Sequence, residues 1–491
     1  MFLGVDLGTS SIKFVLLDDK QNIIAQTSQP LSVSQPQPLW SEQHPDEWRK
    51  ALHQGIFELK ALKKKEFSAI KAIGLSGQQH GAVLLNSAGH ILRPAMLWND
   101  GRAFKECELL ANRVPHHTEI LGNRIMPGFT APKVVWVAQH EPDIFKQIFK
   151  ILLPKDYLRF VLTGEYATDV SDAAGTAWLN VQLRTWSNEM LTASHLTEKN
   201  MPALFEGSDI TGKVSKCIAA EWGISPDTLV VGGGGDNPAG AISVNVIQPG
   251  SAFLSLGTSG VYFVSSQHYR ANPSDGLHTF CHCLPHYWHT MSVHLSAASS
   301  LTWLAGILNE PNIEKLIAEV EYSATQKNNV IFLPYLSGER TPHINSHAQG
   351  VFFGMRHNTS RSDLTRAVLE GVAFAFADGQ DAIQHAGIEI NDVAVVGGGA
   401  QSDYWGGILA SVLRRPLIYR RHRDVGAALG AARLAWLALN PCAPEKAFST
   451  PPIEKSIQPD SSQSDYYGEK RQLFRKLYQQ VKDLFHHEKI F

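Results

Sequence analysis

Cysteine is scarce in this chain: five in 491 residues, Cys107, Cys217, Cys281, Cys283 and Cys442, odd in number and scattered. That fits free thiols in a reducing compartment better than a disulfide framework. Charge of one sign is lacking too, since 44 Lys and Arg stand against 46 Asp and Glu, a net charge of -2. Without a basic excess, nucleic acid and anionic membrane surfaces are poor partners, and a small molecule is the better candidate. No apolar run approaches the ~20 residues of a membrane span. Met1 leads straight into a strand that carries Asp6, with no positive segment or cleavable signal, so a cytoplasmic location is expected. Low-complexity linkers are missing as well.

What is present is length for two cores of roughly 200 to 250 residues each, and a duplication that divides the chain in the same way. One apolar run ends in Leu7-Gly8-Thr9-Ser10-Ser11, another in Leu256-Gly257-Thr258-Ser259, and each is followed by a second apolar run, at 12–17 and 261–264. Both read as tight hairpins. Glycine lets the backbone approach an anion, and successive amides in a turn form a concavity suited to phosphate oxygens. Two such turns facing each other would clamp a polyphosphate. The duplication therefore points to a two-lobed protein that closes on a nucleotide.

Residues 23–27 predict a third antiparallel strand, and Pro45 the first residue of a helix running through Ala51, Ile56 and Leu59. A buried strand at 70–75 ends in Ser76-Gly77-Gln78-Gln79-His80-Gly81, a polar loop at a strand's carboxyl end, where α/β sheets hold ligands. A strand at 229–231 ends in Gly232-Gly233-Gly234-Gly235-Asp236-Asn237. The second half repeats the parts: a helical region at 296–307, a strand at 393–396 ending in Gly397-Gly398-Gly399-Ala400, and a helix at 403–413. Residues 424–435 are helical in period but small on most faces, which suits either a tightly packed core helix or an interdomain contact helix at a hinge. The stretch 466–485, with Leu473, Leu477, Val481 and Leu484 on one stripe, is expected to dock on a lobe. The cluster of His278, Cys281, His282, Cys283, His286 and His289 lacks the paired Cys-x-x-Cys arms of a zinc site, and strand alternation turns its members to opposite faces. It reads as a buried strand.

The segment Gly128-Phe129-Thr130-Ala131-Pro132-Lys133-Val134-Val135-Trp136-Val137-Ala138-Gln139-His140 resembles the first signature of the FGGY carbohydrate kinases. Gly350-Val351-Phe352-Phe353-Gly354-Met355, followed by Asp363-Leu364-Thr365-Arg366-Ala367-Val368-Leu369-Glu370, resembles the second. Trp40-Ser41-Glu42-Gln43, Leu97-Trp98-Asn99-Asp100-Gly101-Arg102, Leu153-Pro154-Lys155-Asp156-Tyr157 and Leu336-Ser337-Gly338-Glu339-Arg340-Thr341-Pro342-His343 are similar to the members of that family that act on D-xylulose. Where those kinases usually have Gly-Gln-Met-His-Gly, this chain has Gln79 in place of the methionine. The backbone is expected to make part of the sugar contact there.

The resemblance implies an α/β fold of two ribonuclease H-like lobes, of the actin, sugar kinase and heat-shock chaperone type, with mixed sheets flanked by helices and a cleft between. Residues 1–243 would form the sugar- and phosphate-binding lobe and 244–491 the ATP-binding lobe, with a final helix from about 466. It implies an ATP-dependent, Mg²⁺-requiring kinase that phosphorylates the terminal hydroxyl of D-xylulose, and a homodimer. Asp236, by its place in the motif, resembles the catalytic base; otherwise it is an aspartate bonding its own turn amides. Asp6, at the end of the first strand, is placed to hold Mg²⁺ directly or through water. Gly8, Thr9, Ser10 and Ser11 offer amides and hydroxyls to the phosphates. Lys13 offers charge, unless it is only an exposed strand lysine. Gly257, Thr258 and Ser259 would face the γ-phosphate, and Gly398, Gly399 and Ala400 resemble the adenosine and α-phosphate site. The sugar is expected against Gln79, His80, Asp236 and Asn237, with Trp98, Asn99, Asp100 and Arg102 lining or supporting the cleft; for Trp98 packing is the stronger reading. Kinases of the same family for ribulose, fuculose, rhamnulose, gluconate or glycerol, and a sugar-gated actin-like regulator, stay open as alternatives.

Overall fold

Both Leu-Gly-Thr-Ser segments are hairpin turns in a computed structural model of the chain, which describes residues 1–323, 329–421 and 426–486. In the first half β1 (Phe2–Leu7), β2 (Ser11–Leu17) and β3 (Ile23–Pro30) form an antiparallel meander. Next to β1 and parallel to it lies β4 (Ala72–Gly77), which begins and ends two residues later than expected. An edge strand β5 (Ile210–Lys213) pairs antiparallel with β6 (Leu229–Val231), itself parallel to β4, so the order is β5-β6-β4-β1-β2-β3. The second half builds the same path from β7 (Ala252–Leu256), β8 (Gly260–Ser266), β9 (His278–Cys281), β10 (Trp288–His294), β11 (Val393–Val396), β12 (Leu417–Arg420) and β13 (Ile453–Ile457), in the order β9-β10-β8-β7-β11-β12-β13. In both sheets the first strand of a meander pairs parallel with a strand whose carboxyl end is glycine-rich, so the two ligand-facing ends are built alike.

Helices cover the sheets for local reasons. In α1 (Pro45–Leu62) the proline needs no amide partner at the first position, His44 accepts from the Asp46 amide, and Trp48, Leu52, Ile56 and Leu59 recur on the buried face. The first signature segment is α2 (Thr130–His140), and α3 (Pro154–Thr163) again opens on proline. Asp236 is the first residue of α4 (Asp236–Ser243). In the second lobe α5 (Ala298–Ile307) and α7 (Asp403–Leu413) lie where the pattern placed them, and the long central α6 (Arg361–His385), capped reciprocally by Ser360 and Asp363, holds residues 363–370 of the second signature.

The small-residue segment becomes α8 (Ala427–Leu439); its expected start at 424–425 falls outside the described residues. This helix follows β12 of the second sheet but packs on the first, and nearly all of it is buried, so it is a tightly packed helix that also makes the contact between the two halves. A Cβ on Gly4 of β1 would lie 1.9 Å from the carbonyl oxygen of Ala428, a contact only glycine permits. Phe2, Val15 and Leu17 share one apolar core with Ala428, Leu429 and Ala432. Arg433, buried on the same helix, donates to the carbonyls of Ile242 (2.9 Å), Ser243 (3.2 Å) and Ser449 (2.7 Å), and burial brings its guanidinium down to about 10. The last helix, α9 (Ser464–Val481), does dock on a lobe, the second one, with Leu477 and Val481 of the expected stripe against its core. Tyr467, Phe474, Leu477 and Tyr478 are buried while Leu473 and Leu484 are exposed, and Arg471 and Arg475 bind Asp378 and Asp381 of α6 alongside that buried face.

Residues 278–281 form a buried strand, as alternation required. His278 stacks on Phe280 and His289 on Phe263, and burial pulls His278 and His282 down to about 3, neutral rings in an aromatic core.

Candidate active site

Between the lobes runs a cleft of about 850 Å³, lined by Lys13, Asp236 and Asn237 from one side and Phe253, Ser255, Val396, Gly397 and Gln401 from the other. Asp236 reaches it because the glycine run after β6 is held from behind. Arg159 of α3, with no exposed surface, donates to the carbonyls of Val231 and Gly232 and to Thr211. Ser171 donates to Asp169 and accepts the Gly235 amide at 3.2 Å. Lys155 lies beneath them, 2.5 Å from Asp156, 2.9 Å from Asp169 and 3.5 Å from Asp172, all four side chains fully buried. Burial opposes its charge, yet the three carboxylates outweigh that and hold its ammonium above the ordinary value.

Asp236 itself accepts from the Asn237 amide (2.7 Å) and side chain (3.0 Å) through Oδ1. Burial, then the charge of Asp6, push its carboxyl up to about 7, with Asn237 opposing. Asp6 is the Cα partner of Lys13 across the first hairpin and is raised to about 6 by burial, against the pull of Lys13. The charge of Asp6 is thus felt at Asp236, and Asp6 Oδ1 is buried without a hydrogen-bond partner. Hard oxygen donors with an unfilled acceptor are what Mg²⁺ takes, with water and phosphate completing its shell. The residues fit that ion.

The turns are tied rather than free. Thr9 Oγ1 donates to Gln78 (2.9 Å) and accepts from the Trp98 indole (3.0 Å), and Gln43 holds the Thr9 carbonyl at 2.7 Å. The Thr9 hydroxyl, expected to serve phosphate, is therefore committed within the protein, and Trp98 acts as its support. Ser10 is exposed on the same turn. In the second turn the Thr258 carbonyl accepts the Ala297 amide (3.0 Å) and Ser299 Oγ (2.7 Å), which fixes it to the start of α5. The cleft lining includes neighbours of both turns, Lys13 and Ser255, but neither Gly8–Ser11 nor Gly257–Ser259. Gly398, Gly399 and Ala400 belong to a single 3₁₀ turn, Gly398–Gln401; its last residue, Gln401, and the preceding Gly397 line the cleft.

Gln79 and His80 are not among the residues that line that cleft. Gln79, buried, donates to the Ser171 carbonyl at 3.3 Å, and its amide abuts Gly235, where a Cβ would come within 2.5 Å of it. That contact puts the loop after β4 directly beside Asp236. His80 has φ +68°, unusual for a residue with a Cβ. Its Nδ1 bonds the Gly175 carbonyl at 2.7 Å, and burial, with Lys133 next, drives it well below its ordinary value. The ring is neutral and protonated at Nδ1, which leaves Nε2 as an acceptor for a hydroxyl.

Asp100 and Asn99 are less central than expected. Asp100 is buried and committed to the Ser41 amide (2.7 Å) and to Arg102, which also bonds Glu42. It supports the loop, as the second of its two expected roles allows. Asn99 is exposed and belongs to a separate crevice lined by Gln35 to Ser41. The sequence reasoning passed over Arg159, Asp169, Ser171 and Asp172. In a helical or turn pattern such residues look solvated, and nothing short of the fold shows them buried behind Asp236. It also passed over Arg340 of the second lobe, whose charge helps lower both His80 and His278.

The model of the FGGY family of carbohydrate kinases, N-terminal domain, matches residues 1–243, and that of the C-terminal domain matches residues 252–439. The xylulose kinase of Escherichia coli (strain K12) is 50% identical over 486 residues, 98% of this chain and 99% of the relative. That of Klebsiella pneumoniae is 47% identical over 485 residues, 99% of this chain and 100% of the relative. Among solved structures, a kinase from Brucella ovis described as a "xyloylose kinase" superposes with a TM-score of 0.95 at 46% identity, over 98% of this chain and 99% of its own. A xylulose kinase from Rhodospirillum rubrum superposes with a TM-score of 0.92 at 27% identity, over 99% of this chain and 100% of its own.

Proposed function

The chain belongs to the FGGY family of carbohydrate kinases, and on that premise we propose that it transfers the γ-phosphoryl group of ATP to the terminal hydroxyl of D-xylulose, giving D-xylulose 5-phosphate and ADP. The observation that carries the reading is Asp236, a cleft carboxylate raised to about 7 beside Asp6. Phosphoryl transfer needs an aligned hydroxyl, neutralised phosphate charge and a group to collect the proton. A base is most useful when its pKa lies near the working pH, and general-base help is worth roughly 10² to 10⁴ in rate. Asp236 has the position and the affinity for that proton.

In this reading residues 1–243 hold the sugar and part of the phosphates, and residues 244–491 hold the rest of the nucleotide. His80 Nε2 and the Gln79 and Asn237 amides bind the sugar hydroxyls and carbonyl, and Gln79, locked to Ser171, keeps the sugar in register with Asp236. Lys13 and the amides of Gly8 to Ser11 and Gly257 to Ser259 receive the phosphates; Gly398 to Ala400 receive the adenosine end. Asp6, with Asp236 nearby, holds Mg²⁺, which supplies charge neutralisation for the phosphates. Closure of the lobes excludes water from the γ-phosphate. A cytoplasmic location and a homodimer complete the proposal.

A coupled ADP-release assay over D-xylulose, other pentuloses, pentoses, gluconate and glycerol tests it. Preferred turnover of D-xylulose is the expected result. Preference for another sugar replaces the substrate, and nucleotide binding without turnover of any sugar favours an actin-like regulator.

A further inference from the structure

One fully buried cation has no place in the scheme above. Lys133, on the first turn of α2, has no ion-pair partner among the described residues. Its Nζ donates instead to two backbone carbonyls, His80 at 3.0 Å and Met96 at 3.4 Å. The His80 carbonyl also accepts from Thr130 Oγ1 at 3.2 Å, and Phe129 lies against the His80 ring with centroids 4.8 Å apart. Three neighbours in one stretch of chain thus converge on one residue. That residue is the one held at φ +68°, a conformation that costs on the order of 1 kcal/mol or more for a side chain with a Cβ and persists only when its surroundings impose it.

We propose that Lys133 is a positioning residue for sugar binding: its amine, with Thr130, pins the His80 carbonyl so that the peptide stays left-handed and the imidazole stays where the sugar needs it. The inference rests on the reading of His80 as a sugar contact. Relaxation of φ to the ordinary region would rotate the ring away from the Gly175 carbonyl and from Phe129. The second bond, to Met96, ties the same amine to the short strand Ala95–Met96 that leads into Trp98, so one nitrogen braces both loops. Burial, with Asp100 opposing, brings this lysine down to about 7.

The test is steady-state kinetics of the full-length enzyme, with D-xylulose and ATP varied separately, for wild type, Lys133→Met and Thr130→Val, and thermal melting of each. Hydrogen bonds from a group that can carry charge are worth about 1.5–3 kcal/mol, so Lys133→Met should raise the KM for D-xylulose about 10- to 100-fold. The KM for ATP should stay within about twofold, a split that a merely structural role would not produce. Thr130→Val, which removes the weaker donor, should raise the sugar KM about 3- to 10-fold. A sugar KM unchanged in both variants, or an ATP KM that rises in parallel, overturns the proposal. If Lys133→Met fails to fold, Thr130→Val decides by the same criterion. Absence of D-xylulose turnover by the wild type would instead overturn the substrate assignment, and this inference with it.

Discussion

Replacing Asp236 by Asn removes one charge and almost no shape. The amide oxygen can still accept from the Asn237 amide and side chain, now at 2.7 and 3.0 Å, so the loop keeps its bonds. The proton acceptor is gone, and turnover should fall by roughly 10² to 10⁴, equivalent to about 3–5 kcal/mol of barrier. Stability should move the other way. The carboxyl is raised from 3.8 to about 7 in the folded protein, so ionising it opposes folding. Stability is full below the unfolded pKa and lost as pH rises through 7. Three pKa units correspond to a ceiling of about 4 kcal/mol. Because the group borders the open cleft, about 1–2 kcal/mol is expected. Asp236→Asn should therefore melt a few degrees above wild type at pH 8, with the advantage shrinking through pH 7 and vanishing near pH 4. ADP-release kinetics and calorimetry across that range check both halves. A variant that keeps more than a tenth of wild-type turnover refutes the base assignment, and one that melts lower at pH 8 refutes the electrostatic strain.

Asp6→Asn removes the anion that helps raise Asp236, so the acid limb of kcat/KM for the sugar should shift to lower pH while the Mg²⁺ requirement rises at least about tenfold; an unmoved limb separates the two carboxylates. ATP hydrolysis without sugar should be much slower than turnover with it, and equal rates would remove lobe closure from the mechanism. Gly4→Ala drives a methyl to 1.9 Å from the Ala428 carbonyl, so the unfolding free energy from urea titration should fall by roughly 2–3 kcal/mol. No loss would mean that α8 does not rest on β1 in solution.

Periodicity and glycine placement carried much of the fold. The strand Val393–Val396 and the helix Asp403–Leu413 lie where their patterns put them, because an apolar run closed by glycines and a capped apolar period are local signals. The same logic failed by two residues at Ala72–Gly77, whose end is set by pairing with β1 rather than by its own residues. On α9 it was right for Leu477 and Val481 and missed the aromatic residues Tyr467, Phe474 and Tyr478, which fill the rest of the buried face while Leu473 is exposed.

The local patterns by themselves determined that two like hairpins open two like sheets, and that Asp236 ends a glycine run beside one of them. Those features are set by neighbours in the chain. Only the tertiary structure decided that Thr9 spends its hydroxyl on Gln78, that Asp100 serves Arg102, and that Lys155, Arg159 and Lys133 are buried as braces for the loops that carry Asp236 and His80. Whether a polar group faces ligand or protein depends on which distant segment meets it first. Desolvation, which lifts Asp236 toward 7, likewise arises only when residues far apart in sequence exclude water together.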